Sequence, residues 1–162
     1  MKEYAELFAD DPVYSQKARS FSKKVKDISE LFIQHGWKKP EKVDNLRVTY
    51  HEPCHLVHTQ KVSQEPREII TGIPGIEFKE LPESTWCCGS AGIYNITHYD
   101  DSMKILNRKM KNIESTKVDF VVTGNPGCMI QLQYGAKKYD VDVRIIHPVS
   151  LLKIAYENGK EI

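Results

Sequence analysis

The sequence predicts an α/β fold in which four parallel strands form a sheet with helices on both faces, preceded by one further helix. Two observations lead to this class. Short apolar or alternating segments recur from residue 46 onwards, and amphipathic segments of helical length lie between them. Connections of this kind cross over and make neighbouring strands parallel. A chain of 162 residues suits one such domain, which should bury roughly 70% of its unfolded surface.

The N-terminal helix is predicted to begin at Asp11 and Pro12 and to end near Gly36. The Asp11 carboxylate can cap a helix, and Pro12 suits the first helical position, where the missing N–H costs nothing. Glycine favours the end of a helix because it tolerates the left-handed backbone found there. Residues 37–45 are predicted to form a linker. Apolar residues at steps of three and four form one stripe along the helix: Ala18, Phe21, Val25, Ile28 and Phe32.

Four segments are predicted to be strands. In the first of them Leu46, Val48 and Tyr50 alternate with polar residues, as is typical of a strand with one buried face. Two later segments alternate in the same way, and another is a short, mostly apolar run. The four predicted strands cover residues 46–50, 76–81, 118–123 and 141–146.

Three further helices are predicted between and after these strands. The clearest covers residues 97–115 and has apolar residues on one face, so its lysines and acids are interpreted as a solvated face. The second covers residues 126–138, and the third begins at Pro148. Together the elements predict a three-layer, Rossmann-like domain. No G-x-G-x-x-G motif follows the first strand, so dinucleotide binding is not expected.

The charge balance argues against some classes of function. The chain has 23 basic and 22 acidic residues, for a formal net charge of +1, whereas a nucleic-acid-binding surface needs a basic excess. The sequence contains no run of 18 apolar residues, so no transmembrane helix is predicted. Its first residues do not resemble a secretory signal. We therefore expect a cytoplasmic protein, in which clustered cysteines indicate metal or redox chemistry rather than disulfides.

All four cysteines follow predicted strands. Cys54 comes after the first strand, Cys87 and Cys88 after the second, and Cys128 after the third. Because the carboxyl ends of parallel strands meet at one edge of a sheet, where ligands bind, we expect the four thiols to converge. His147 follows the fourth strand and reaches the same edge. Each cysteine also lies where a helix could begin, and helix N–H groups lower a thiol's pKa and favour the metal-binding thiolate.

The spacing of the cysteines does not identify the metal. Four thiolates can hold an iron–sulfur cluster, and three thiolates with a histidine can hold zinc. The adjacent pair Cys87–Cys88 favours a centre with several metal atoms, because neighbouring residues reach two metals more easily than they chelate one. The alternatives are cysteines that act only as small buried hydrophobes and a cysteine nucleophile paired with a histidine. Four histidines are candidates for ligands, hydrogen-bond donors to sulfur, or ordinary packing and solvated residues: His51, His55, His58 and His147.

The cysteine pattern resembles the cysteine-rich CCG domain. In this sequence 32 residues separate Cys54 from the Cys87–Cys88–Gly89 motif, and 39 separate Cys88 from Cys128. That domain occurs, usually twice, in heterodisulfide reductase and in the iron–sulfur subunits of glycolate oxidase, anaerobic glycerol-3-phosphate dehydrogenase and lactate-utilisation complexes. The strings "YHEPCHLVHTQKV", "STWCCGSAGIYNIT" and "VTGNPGCMIQL" are most similar to the second CCG domain of the glycolate oxidase branch.

The resemblance implies an electron-transfer domain that receives electrons from a separate flavoprotein subunit oxidising glycolate. Lactate and glycerol-3-phosphate complexes remain open, as does a structural or docking module with zinc or no metal. Residues 1–41 resemble the tail of a preceding CCG domain, and residues 42–162 resemble the CCG domain itself. The implied partners are the flavoprotein, ferredoxin-like segments and a first CCG domain, in a cytoplasmic complex or one peripheral to the inner face of the membrane.

One position departs from the heterodisulfide reductase pattern. There the domain ends in Cys-x-x-Cys and five cysteines hold a non-cubane cluster, whereas here Asn125 occupies the first position of that pair. The resemblance therefore implies an ordinary 4Fe-4S cluster, with zinc as the alternative. Its implied ligands are the four cysteines, with three auxiliary candidates: Cys54, Cys87, Cys88 and Cys128, and then His55, His147 and Asn125.

Overall fold

The computed structural model describes residues 1–157 and divides into two compact units, Met1–Trp37 and the remainder from Lys38. The first unit contains helices α1 (Tyr4–Leu7), α2 (Ser15–Lys24) and α3 (Ile28–His35). The second unit contains, in chain order, β1 (Leu46–Tyr50), a π-helical turn (His55–Thr59), α4 (Gln64–Thr71), β2 (Ile76–Phe78), α5 (Tyr94–Thr97), α6 (Tyr99–Thr116), β3 (Phe120–Val122), α7 (Pro126–Lys138), β4 (Arg144–Ile146) and α8 (Pro148–Tyr156).

The N-terminal segment is helical as predicted, but α2 and α3 are separate helices rather than one. The Asp11 carboxylate accepts hydrogen bonds from the backbone two and three residues ahead, which forms a turn before α2. Asp27 starts a new helix with a capping box, in which its side chain accepts from the Ser29 N–H and the Glu30 carboxylate accepts from the Asp27 N–H. This local pairing interrupts the apolar stripe. Gly36 ends α3 at a φ of +76°, as expected.

The four strands form one all-parallel sheet in the order β2-β1-β3-β4, which confirms the predicted fold class. The central pair is β1 and β3, in which Val48 lies opposite Phe120 and Tyr50 lies opposite Val122. The chain passes from β2 to the far side of β1 to form β3. In open parallel sheets, ligands bind in the crevice at the carboxyl ends of the strands where the order reverses in this way.

Two helix pairs flank the sheet, since α6 packs against α7 and α4 packs against α8. The side chains of α6, α7, β3 and β4 form one buried cluster that also contains Cys88 and Cys128. These two thiols therefore lie at the end of the hydrophobic core rather than on an exposed loop. The buried members of this cluster include Met103, Leu106, Met110, Val121, Leu132 and Ile145.

Some boundaries differ from those predicted. β4 begins at Arg144, because residues 141–143 are irregular and the Val141 N–H donates to the Ala136 carbonyl (3.0 Å) instead of to a neighbouring strand. The π-helical turn and α4 were not predicted, since five and eight residues are too few for a clear period and Pro66 lies inside α4. Among residues 1–157, no helix has both the length and the apolar character needed to cross a membrane.

Candidate metal centre

A cavity of about 260 Å³ opens at the carboxyl edge of the sheet, where β1 and β3 end. All four cysteines line it, as expected from their positions after three different strands. The sheet order explains this convergence, because β1 lies between the strands that precede the other cysteines. The full lining is His51, Cys54, His55, Cys87, Cys88, Ser90, Ala91, Gly92, Asn125 and Cys128.

Three local structures hold the thiols at this cavity. Cys54 begins the π-helical turn after β1, the Cys87–Cys88 pair lies in the loop between β2 and α5, and Cys128 lies in the first turn of α7. Cys88 and Cys128 are buried, with 1% and 7% of their surface exposed, whereas Cys54 and Cys87 are only partly buried. The cavity therefore has an inner end next to the core and an outer end open to solvent.

Hydrogen bonds clamp the turn after the cysteine pair to α6 and α7. Gly89 has a φ of +91°, and the Ser102 hydroxyl donates to its carbonyl (2.8 Å). The side-chain amide nitrogen of Gln131 donates to the same hydroxyl (3.1 Å), and the side-chain amide of Asn95 donates to the side-chain oxygen Oε1 of Gln131 (3.1 Å). A Cβ atom at Gly89 would lie 2.6 Å from the Ser102 carbonyl oxygen, so only glycine allows this close approach.

His51 directly follows β1 and lies at the inner end of the cavity. Its side chain is buried, and neither ring nitrogen makes a hydrogen bond of normal geometry. A ring nitrogen of His51 and the sulfurs of Cys88 and Cys128 all lie within 4.8 Å of one another. Burial, followed by the charge of Lys109, lowers the pKa of His51 to about 3, although a contact with the Ser84 backbone opposes the shift. The ring is therefore neutral, which is the form that binds metals.

The thiols of Cys87 and Cys88 are more weakly acidic than their positions in the chain predict. A hydrogen bond with the Cys128 thiol and then burial raise the pKa of Cys88 to about 12, although Cys87 opposes the shift. A hydrogen bond with Cys88 and burial also raise the pKa of Cys87, and these effects outweigh the Gly89 N–H bonded to its sulfur (3.2 Å). The prediction that these two pKa values are lowered is therefore wrong when only the protein's own groups act on the thiols. A bound cation reverses this balance because it deprotonates the thiols that coordinate it.

The prediction that the lysines of α6 form a solvated face is wrong for Lys109. Its side chain is fully buried, and its ammonium group donates to the Glu83 carbonyl. Burial lowers its pKa to about 8, and the nearby Cys88 opposes this shift by electrostatic attraction. Lys109 therefore carries a positive charge at neutral pH beside the thiols. Its burial was missed because a lysine gives no sequence signal that separates it from exposed neighbours.

The auxiliary candidates have different positions. The Asn125 side-chain oxygen caps α7 by accepting from the Cys128 N–H (2.9 Å), and its amide nitrogen lies 3.4 Å from Nδ1 of His55. Asn125 thus orients Cys128. His55 lines the cavity but is exposed. His147 is not among the lining residues, and it caps α8 by accepting from the Val149 N–H (3.2 Å).

A charged network ties two cysteine-bearing loops together. Glu52, two residues before Cys54, is buried and accepts hydrogen bonds from Arg67 (2.9 Å) and from Ser84 (3.1 Å). Ser84 lies three residues before Cys87, and Arg67 also pairs with Glu80. Burial tends to raise the pKa of Glu52, but hydrogen bonds from Arg67 and Ser63 and the charge of Arg67 outweigh it. The pKa of Glu52 therefore lies below its ordinary value.

Arg67→Met is expected to lower the free energy of unfolding at pH 7 by about 3 kcal/mol, because it leaves a buried carboxylate without its charged partner. A lowered carboxyl pKa stabilises the wild type above the unfolded pKa, and this contribution disappears as the pH falls through the folded value. The difference between variant and wild type should therefore shrink below about pH 4.5. Urea unfolding followed by circular dichroism measures both effects.

Arg47→Met is the matched control, since Arg47 pairs with Asp119 at the surface and should cost no more than about 1 kcal/mol. An equal loss in both variants, or a loss at Arg67 that stays constant down to about pH 3, would contradict the buried-pair explanation.

The fold and the cavity together define a class, an α/β domain whose cysteines from three loops line one site. The chain belongs to the family of the CCG cysteine-rich domain, whose model matches residues 48–133, more than half of the sequence. The resemblance inferred from the cysteine motifs is therefore confirmed.

Curated relatives carry related names. The chain is 38% identical over 156 residues to the "Probable glycolate oxidase iron-sulfur subunit" of Bacillus subtilis, a match that covers 94% of this chain and 35% of that protein. It is 34% identical over 132 residues to the "Glycolate oxidase iron-sulfur subunit" of Escherichia coli, with coverage of 82% and 32%. It is 28% identical over 160 residues to "Lactate utilization protein A" of Oceanobacillus iheyensis, with coverage of 98% and 66%. The chain thus spans about a third of the two glycolate oxidase subunits and just under two thirds of the third relative.

Proposed function

We propose that the chain holds an iron–sulfur cluster of the 4Fe-4S type and transfers electrons within a 2-hydroxy-acid oxidoreductase complex of the glycolate oxidase kind. The observation that carries the proposal is the meeting of four thiols at one cavity of about 260 Å³. Four cysteine thiolates are the usual ligand set of such a cluster. The names of the relatives, which are iron–sulfur subunits, support the same cofactor.

The ligand roles follow from the burial of each thiol. Cys88 and Cys128 would hold the inner side of the cluster, next to the core, and Cys54 and Cys87 would hold the outer side. When bound, such a cluster accepts and releases one electron at a time. The protein groups orient the thiols, keep water from the inner side, and place the charge of Lys109 beside them.

The complex around the chain is part of the same proposal. A flavoprotein subunit would oxidise the hydroxy acid and deliver electrons to the iron–sulfur subunit. Ferredoxin-like segments and a first CCG domain would complete that iron–sulfur subunit. Residues 42–162 would form the CCG domain, and residues 1–41 the tail of the domain before it. We place this complex in the cytoplasm, with peripheral contact at the inner face of the membrane through its partners. Glycolate is the proposed substrate, and lactate or glycerol 3-phosphate are the alternatives.

A second candidate is a structural or docking module that binds zinc. It is favoured by the group of His51, Cys88 and Cys128, whose ligand atoms lie close enough to share one ion. The two candidates differ in stoichiometry. A cluster contains several irons with inorganic sulfide and absorbs broadly in the visible, whereas a zinc site contains one colourless ion.

Replacing any one cysteine by serine is expected to lower bound iron from about four per chain to about one or less after anaerobic reconstitution with iron and sulfide. Iron, sulfide and zinc are counted in each of the four variants. Cys88→Ser and Cys128→Ser should have the largest effects, because their thiols are buried at the inner end of the cavity.

Ser90→Ala is the matched control, since Ser90 lines the same cavity without offering a thiolate. It should retain the wild-type iron content. Full iron content in all four serine variants, or one zinc and no sulfide in the reconstituted wild type, would contradict the cluster.

A further inference from the structure

His51 is a buried polar side chain whose position the four-thiol site does not explain. It follows β1, the strand next to β3, and its backbone N–H donates to the Val122 carbonyl (2.9 Å). The ladder thus fixes its backbone, and only 1% of the residue is exposed. The position of His51 therefore does not depend on a flexible segment.

The ring of His51 lacks hydrogen bonds of normal geometry at both nitrogens. A neutral imidazole has one donor and one acceptor, and a buried group left unpaired loses its hydration without compensation. Native proteins almost always satisfy such groups with a protein atom, a water or an ion. Within residues 1–157 no protein atom does so at normal geometry, and the ring instead lines the cavity that the cysteines share.

The distances suit a shared metal atom. A ring nitrogen of His51 and the sulfurs of Cys88 and Cys128 lie within 4.8 Å of one another. Two ligand atoms on one metal lie about 3.5–4 Å apart, so a small contraction brings the His51 nitrogen onto the metal atom that one of the two thiols binds. His55, the other histidine at the cavity, is exposed and faces Asn125 instead.

Resting on the proposed function, we infer that His51 is a direct ligand of the metal centre, binding through a ring nitrogen to the metal atom at the inner end of the cavity. The site is then a mixed sulfur and nitrogen site rather than one made of thiolates alone. Cys88 and Cys128 share this inner region with His51, and Cys54 and Cys87 supply the ligands of the outer end. The five ligand atoms exceed the four positions of a 4Fe-4S cluster by one, so one inner iron carries His51 in addition to a cysteine.

The first test needs no substitution. The chain is prepared with histidine labelled by nitrogen-15 or at natural abundance, reconstituted anaerobically with iron and sulfide, and reduced to its paramagnetic state. Electron–nuclear spectroscopy should detect a nitrogen coupling of directly bound strength that changes with the label. A spectrum with no label-dependent coupling, or with only the weak coupling of a hydrogen bond to sulfur, would overturn the inference.

The second test uses cobalt(II) alone, so that its outcome does not depend on cluster assembly. His51→Ala should weaken cobalt binding at least tenfold and change the visible ligand-field bands, and His51→Gln should behave in the same way if the alanine variant folds poorly. His35→Ala, at an exposed histidine that does not line the cavity, should match the wild type in both readouts. Equal affinity and equal bands in wild type and both His51 variants would overturn the inference.

The two tests separate this inference from the proposed function. A reconstituted chain without sulfide or several irons contradicts the cluster, yet cobalt binding still reports on His51. A chain with a complete cluster but no histidine coupling keeps the cluster and removes His51 from its ligands.

Discussion

Lys109→Met is expected to leave the chain folded while weakening its hold on an anionic metal centre and lowering the reduction potential of that centre. Lys109 is fully buried, and its electrostatic interactions include attraction to Cys88, Cys87 and Cys128. An added electron gains from a nearby buried positive charge, and removing a unit charge in such surroundings costs about 1–2 kcal/mol, or roughly 40–90 mV. Methionine has a similar shape and needs no charged partner, so the loss of packing is small.

Two measurements separate the charge effect from a packing effect. Urea unfolding of the unreconstituted variant should lie within about 1 kcal/mol of the wild type, since the variant also removes the cost of burying an ammonium group. Potentiometric titration of the reconstituted variant should give the lower potential, and a chelator should remove its iron faster.

Lys111→Met is the control for Lys109→Met, because Lys111 lies on the same helix but is exposed. Its potential and iron retention should equal those of the wild type. A Lys109 variant that unfolds easily but keeps the wild-type potential would assign the residue a purely structural role, through its bond to the Glu83 carbonyl.

Gly89→Ala is expected to lower the free energy of unfolding by about 3 kcal/mol. A φ of +91° strains any residue that has a Cβ, at a cost of about 1–2 kcal/mol. The new atom would also lie 2.6 Å from the Ser102 backbone oxygen, and overpacking of this kind costs about 1–3 kcal/mol. Because the turn orients Cys87 and Cys88, bound iron after reconstitution should fall as well. Urea unfolding and iron analysis measure the two effects.

Gly92→Ala isolates the steric part of this loss. Gly92 also has a positive φ, +65°, but a methyl group added at this position would have nothing within 4 Å of it. The variant should therefore lose only about 1–2 kcal/mol, from backbone strain. If the two variants lose equal stability, the contact between the turn and Ser102 does not hold the turn in place.

Local patterns predicted the sheet well because each strand carries its own signal. The alternation of Leu46, Val48 and Tyr50 indicated β1, and the structure places a strand at residues 46–50. Helix α7 has both bounds as predicted, and Pro126 begins it. The prediction was wrong for shorter elements where local contacts compete with the apolar pattern, as at the capping box of Asp27, which starts a separate helix.

The candidate site was only partly predictable for a related reason. Order along the chain placed every cysteine after a strand, and parallel strands bring those ends together, so the convergence of the thiols could be expected. The burial of Lys109 and the unpaired ring of His51 could not, because both depend on which side chains from distant segments surround them. The raised pKa of Cys88 has the same origin, since it arises from Cys88 meeting Cys128 across 40 residues of sequence.

The amino-acid sequence by itself determined the α/β class, the strand positions and the residues that meet at the carboxyl edge of the sheet. These depend on periodicity and on chain direction, which are local properties. Only the tertiary structure decided which of those residues are buried, which are charged and which lack hydrogen-bond partners. Such properties come from packing between segments far apart in the chain, and they single out His51 and Lys109 beside the four cysteines.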